Sequence, residues 1–149
     1  MPEDPIFTAK MRLKMQQFDA KILPLIFGMF LSRYQDNEKI DAYLAVGVPY
    51  VEEMCPEIGS NKWLMGTDEI TQLDVHAGAQ WDFLYSQIMH GEAFSDAKEY
   101  AKLDQVSPKW CAYMERIRAH PKIAPVCMNL EAANRYSKRA RGWEQGVKC

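Results

Sequence analysis

Threonine occurs three times in 149 residues, and Val, Ile and Thr together number only 19. β-Branched residues fill the strands of sheets, so their scarcity excludes an all-β fold and argues against a parallel sheet. Histidine is equally sparse: His76, His90 and His120 include no H-x-x-x-H pair. No two of the four cysteines, Cys55, Cys111, Cys127 and Cys149, form a C-x-x-C. Zinc-ribbon and thioredoxin-type redox motifs are thereby missing, and no metal site is expected. Positive charge is not in surplus, since 18 Lys+Arg against 20 Asp+Glu leave a net of −2, which speaks against a nucleic-acid partner. No apolar run approaches the roughly 18 residues that span a bilayer, so no membrane partner is expected. Met1-Pro2-Glu3-Asp4-Pro5 places acids where a signal peptide carries positive charge.

What remains is rich in helix formers. Ala, Leu, Met, Lys, Arg, Glu and Gln number 71, and such side chains lose little rotamer freedom in a helix. The expectation is an all-α, cytoplasmic chain forming one domain over 1–149, with free thiols packed as small hydrophobes. Phe7, Met11, Met15, Phe18 and Ile22 recur at three- and four-residue steps, one buried face of a first helix. Pro24 then kinks or restarts it. Leu25–Leu31, nearly free of polar residues, reads as buried from several sides or lining a cavity. Ile40, Leu44, Gly47, Val51 and Met54 form a second stripe, with Pro49 marking a bend inside it. Residues 55–65 read as a loop from which Trp63 and Leu64 fold back onto the core.

The third helix has the clearest start. Thr71 and Asp74 make an S/T-x-x-D capping box, and Ile70 and Val75 stand at the positions of a hydrophobic staple. Trp81, Leu84, Tyr85 and Ile88 continue this helix to a stop at Gly91. Residues 92–106 read as a loop with a short helical turn. Ser107-Pro108, an N-cap followed by an N1 proline, opens a fourth long helix carrying Trp110, Met114 and Ile117 to Pro121. Asn129 caps a last helix to about Arg139, giving five or six helices in all. Beyond lies a basic tail over about 138–149.

The segment Gly66-Thr-Asp-Glu-Ile-Thr-Gln-Leu-Asp-Val-His76 resembles a signature of the glutathione transferase superfamily. There a glycine precedes an S/T-x-x-D box that caps the central helix of the C-terminal helical domain. The usual Ala before the Asp is Leu73 here. Ser107–Pro121 looks like the same domain's helix ending in a charged turn and proline. Pro2–Met11 is similar to its linker and first helix entry, so the likeness spans roughly residues 2–135. The long first helix and the helix near 129–139 are most like the omega class.

The resemblance implies a helical bundle of the glutathione transferase C-terminal type. It implies that the chain supplies a wall of the hydrophobic co-substrate pocket and a dimer surface for glutathione-dependent transfer or thiol reduction. It also implies that the thioredoxin-like domain, which binds glutathione and activates it, lies outside this chain. Glutathione is then a cofactor only in company with such a domain, and the isolated chain carries no catalytic residue. Either a thioredoxin-like domain or a homodimer partner is implied. The alternative is a free-standing interaction module, as similar domains serve in elongation-factor and tRNA-synthetase complexes.

Phe27, Tyr34, Trp81, Tyr85 and Tyr136 are the positions that would line the co-substrate pocket by that resemblance. Their helical spacing alone fits core packing equally, and aromatic stripes at that spacing are usually core. Cys111 and Cys127 are candidate reactive thiols, opposed by apolar neighbours that raise a thiol pKa. His76 lies in the first turn of the third helix, where the helix dipole disfavours its charged form. Arg135, Lys138, Arg139 and Arg141 form a basic cluster, a patch for an anionic ligand or an acidic partner, or else a solvated tail, the commoner fate of charge runs.

Overall fold

The computed structural model describes residues 4–143, and these fold as helices and turns without a strand. Asp4 caps the first helix, α1 (Pro5–Lys21), by accepting the Ile6 N–H at 3.0 Å, with Pro5 at the start where its missing N–H costs nothing. Met11, Phe18 and Ile22 of the sequence stripe are buried, and Phe7 and Met15 pack partly against the core. Pro24 restarts the helix instead of merely bending it. Ile22 ends α1, and α2 (Leu23–Leu31) begins with the proline in its first turn.

The apolar run in α2 departs from expectation. Ile26 and Met29 are buried, but Phe27 is 47% exposed and Leu31 76%. The helix packs on α1, α3 and α5 and leaves Pro24, Phe27 and Leu31 facing outward. At its end Arg33 and Tyr34 take the left-handed conformation, φ 54° and 56°, which L side chains seldom adopt.

Asp36 caps α3 (Asn37–Ala42), which runs through a π-helical turn, Tyr43–Gly47, into α4 (Val48–Met54). Pro49 has no N–H to offer the carbonyl of Ala45, and the ladder widens locally to absorb the loss. Tyr43, which opens this turn, is fully buried. Trp63 and Leu64 do return to the core from the loop that follows. Gly66 in that loop has φ +76°, which a side chain would strain, and its N–H closes the turn on Trp63 O at 2.7 Å.

The central helix is α5 (Gln72–His90), with eleven of its 19 residues buried. It packs against α1, α2, α6, α8 and α9, and so sets where every other long helix lies. Gly91 ends it for a reason other than a left-handed cap, because its φ is −78°. A Cβ there would lie 2.5 Å from Gln87 O and 2.9 Å from Ser137 Cβ, so only glycine lets the chain pass under α9.

Residues 92–106 are more helical than their pattern suggests: a 3-10 turn (Glu92–Phe94), α6 (Ser95–Ala101) and α7 (Leu103–Val106). Phe94, Ala97, Ala101 and Leu103 form their buried side. The small alanines that allow close packing made a weak hydrophobic signal. α8 (Pro108–Ala119) buries Trp110, Tyr113, Met114 and Ile117. A 3-10 turn (Ala124–Val126) leads to α9 (Leu130–Ala140), whose cap Asn129 accepts from the Glu131 and Ala132 N–H groups. The all-α class stands, but among the described residues nine α-helical segments replace the five or six expected, since proline and left-handed residues break the chain more often than the stripes reveal.

Candidate functional site

The capping-box aspartate is the most heavily coordinated side chain of the molecule's interior. Asp74 is fully buried. Its Oδ2 accepts the Thr71 N–H at 2.8 Å and the Thr71 hydroxyl at 2.6 Å, within the capping box. Its Oδ1 accepts the Leu64 N–H at 3.0 Å and the Tyr113 hydroxyl at 2.8 Å. Four donors replace the water that burial removes, which is what a buried carboxylate requires. Burial, and then the Asp74 charge beside it, push the Tyr113 phenol well above its ordinary range, so it stays a donor. Of the staple, Ile70 packs against the core while Val75 is 51% exposed beside a small cleft with Gly78 and Cys127.

Two turns on, Asp82 makes a second buried centre. Its Oδ1 pairs with Arg118 and its Oδ2 accepts the Met128 N–H at 2.6 Å. Arg118 also donates to Ser86 Oγ at 2.9 Å and Met128 O at 2.8 Å, fastening the α8–α9 connection to α5. Glu52 of α4 does the capping at α8 that Ser107 was expected to do. It accepts the Ser107 hydroxyl at 2.8 Å and the Trp110 N–H at 3.0 Å, because the Ser107 hydroxyl points away from its own helix. Arg116 donates to Ser60 O and Lys62 O and lies over Trp63 at 4.1 Å, holding the loop before α5.

The five aromatic candidates do not converge on one pocket. Trp81 is fully buried, edge-on to Phe18 at 5.2 Å and to Tyr113 at 5.8 Å. Tyr85, one turn further along the same face of α5, meets Trp110 of α8 at 5.6 Å. Tyr34 is buried against Phe94 at 4.7 Å. Tyr136 is half-buried and stacks on Phe30 at 5.7 Å, which in turn meets Phe83 at 4.9 Å. Phe27 stands outward on the same helix as Phe30.

The thiols are ill placed for nucleophilic work. Burial pushes Cys111 up to about 12, with the acids Asp104, Glu115 and Glu52 adding to it. Cys55 is buried and its thiol is raised for the same reason, while Cys127 is raised by partial burial and Asp82. Cys149 lies outside the described residues. His76 Nε2 is 2.6 Å from Asp19 Oδ1 at the surface, an α1–α5 link.

The basic cluster divides: Arg135 and Arg139 are exposed, whereas Arg141 and Lys138 are tied to the fold. Arg141 holds Asp96 with both guanidinium nitrogens, at 2.9 and 3.0 Å, and donates to Arg33 O at 3.1 Å and Tyr34 O at 3.0 Å. Lys138 pairs with Glu92 at 2.9 Å and Arg135 approaches Glu131 at 4.0 Å. The rest of the expected tail, 144–149, lies outside the described residues.

A different cluster, absent from the sequence reading, lines a cleft of about 290 Å³ between α1 and α4: Lys14, Gln17, Lys21, Tyr50, Glu53 and Met54. The i, i+3, i+7 spacing of the first three on α1 was its only signal, hidden because the buried stripe of that helix was sought instead. Among the described residues no three His, Cys, Asp or Glu side chains are grouped to hold a metal ion, and no helix is long and apolar enough to cross a membrane. No protein-family model, curated protein or solved structure matches the chain.

Proposed function

We propose that the chain is the C-terminal helical domain of an omega-like glutathione transferase. In this reading it gives a co-substrate wall and a docking surface to a thioredoxin-like domain that carries glutathione, and it does not catalyse alone. The observation that carries the reading is the Asp74–Tyr113 hydrogen bond at 2.8 Å. It joins the two segments on which the resemblance rests, 66–76 and 107–121, into one buried unit at the start of the central helix. The outward face of α2, with Phe27 and Leu31, supplies apolar surface of the kind such a wall needs. Phe30, Phe83 and Tyr136 continue it across α5 and α9. Raised thiol pKa values accord with a chain that does not activate a thiol itself. The free thiols of Cys55, Cys111 and Cys127 accord with a reducing, cytoplasmic setting.

The test is conjugation of glutathione to 1-chloro-2,4-dinitrobenzene. The chain alone is expected to give the buffer rate. Joined to an omega-class thioredoxin-like domain it is expected to turn over, and Phe27→Asp with Leu31→Asp is expected to remove that gain. Turnover by the chain alone, or none in the joined protein, overturns the proposal.

A further inference from the structure

The cleft between α1 and α4 differs from the charged clusters that fasten the helices together, because its polar groups do little for the fold. Lys62, Lys109, Lys138, Arg118 and Arg141 each reach a carboxylate. Among the described residues Lys14 and Lys21 reach none, and the side chains of Gln17 and Glu53 take no hydrogen bond or ion pair. Lys14, Gln17 and Lys21 lie on one face of α1, the two lysines separated by about 10 Å along the axis at 1.5 Å per residue. Opposite them α4 presents the half-buried Tyr50 and Met54. Lys21 Nζ sits over the Tyr50 ring at 5.2 Å, which steers the ammonium towards the cleft without neutralising it.

We infer that this cleft is a binding site for a small anion carried on a flat apolar group, such as an aryl phosphate or aryl carboxylate. The anion would lie between the Lys14 and Lys21 ammonium groups with the Gln17 amide as a further donor. The flat group would lie against the Tyr50 ring and the Met54 thioether. Two cations face the single acid of the cleft, Glu53, so the local balance favours an anion. Partial burial and the nearby Glu53 raise the Tyr50 phenol, so at neutral pH it adds a donor and no negative charge. A volume of about 290 Å³ admits one ring and its acidic substituent and little more. The site needs neither glutathione nor a second domain, so it stands or falls apart from the transferase reading.

The experiment is a titration of the full chain with phenyl phosphate at low ionic strength, followed by amide chemical shifts. Inorganic phosphate and benzyl alcohol serve as comparison probes. Saturable shifts are expected at Gln17, Lys21, Tyr50 and Met54, with phenyl phosphate binding tighter than either comparison probe. The double variant Lys14→Gln, Lys21→Gln is expected to weaken phenyl phosphate binding about tenfold. Both lysines are exposed, so its melting temperature should stay that of the parent. Tyr50→Leu is expected to weaken phenyl phosphate and leave inorganic phosphate unchanged. Absence of saturable shifts, shifts mapping to another surface, or equal affinity in the double variant overturns the site. Equal binding of phenyl phosphate and inorganic phosphate overturns the ligand class.

Discussion

Asp74 and Asp82 lie inside the molecule with every carboxylate oxygen hydrogen-bonded, whereas Lys14 and Lys21 border a cleft with no acidic partner of their own. The two regions share α1, which packs on α5 through the stripe that carries Phe18, beside the face that carries Lys14, Gln17 and Lys21. A charge taken out of water must be matched by donors or opposite charge, and one left in water need not be. Interior charges are therefore committed to holding helices together. Charges at the cleft remain available to something that arrives later.

The comparison breaks most severely if the interior charges prove dispensable. Asp74→Ala should cost about 3 kcal/mol, because the Leu64 N–H and Tyr113 hydroxyl are left buried without their acceptor. Urea denaturation measures this, and a loss below about 1 kcal/mol would mean that the box is incidental. Arg118→Met should cost about 3 kcal/mol by stranding Asp82, 7% exposed in its side chain. Adding Asp82→Leu to it should return part of that loss, since removing both charges removes the unpaired one. A double variant less stable than either single would contradict the assignment.

Smaller effects sharpen the picture. Glu52→Ala should cost about 1 kcal/mol, typical for a lost helix cap, and should speed hydrogen exchange at Trp110. Arg141→Ala should loosen the left-handed pair Arg33–Tyr34 and fray α9, visible as faster exchange near Ala140. It also carries a pH signature. Burial works to raise the Asp96 carboxyl, but the hydrogen bonds from Arg141 and the Ala97 N–H outweigh it and hold the group below its usual value. A depressed folded-state pKa stabilises above the unfolded value near 4, and that contribution fades as pH falls through the folded value. The parent should thus lose stability below about pH 4 in part through Asp96, and Arg141→Ala should show a shallower acid limb. Equal acid limbs would show that Asp96 is solvated in both proteins.

Local chemistry wrote much of the fold into the chain. The stripe Met11–Phe18–Ile22, the box Thr71–Asp74 and the cap Asn129 all rest on spacing within one turn or two, and each appears where spacing puts it. Pro24 was legible for the same reason. The π turn at Tyr43–Gly47 was not, because how a chain absorbs a missing N–H at Pro49 depends on what packs beside it. Gly91 looked like a left-handed stop and is a close-approach residue instead, a fact set by Ser137 forty-six positions later. Burial at the expected co-substrate positions was likewise not legible. Periodicity marks Trp81 and Phe27 as apolar alike, but only the packing of α1 over one and of nothing over the other separates core from surface.

Composition and short-range pattern alone determined that this protein is all helix, where its main helices begin, and that no run of it suits a membrane-spanning helix. Those properties follow from backbone preference and from groups a few residues apart. The tertiary structure decided which charges are committed and which are spare: Asp74 with Tyr113, Asp82 with Arg118, Glu52 with α8, and at the cleft Lys14 and Lys21, the latter over Tyr50. Such partners lie tens of residues apart, and their interaction depends on distance through space, which spacing along the chain does not encode.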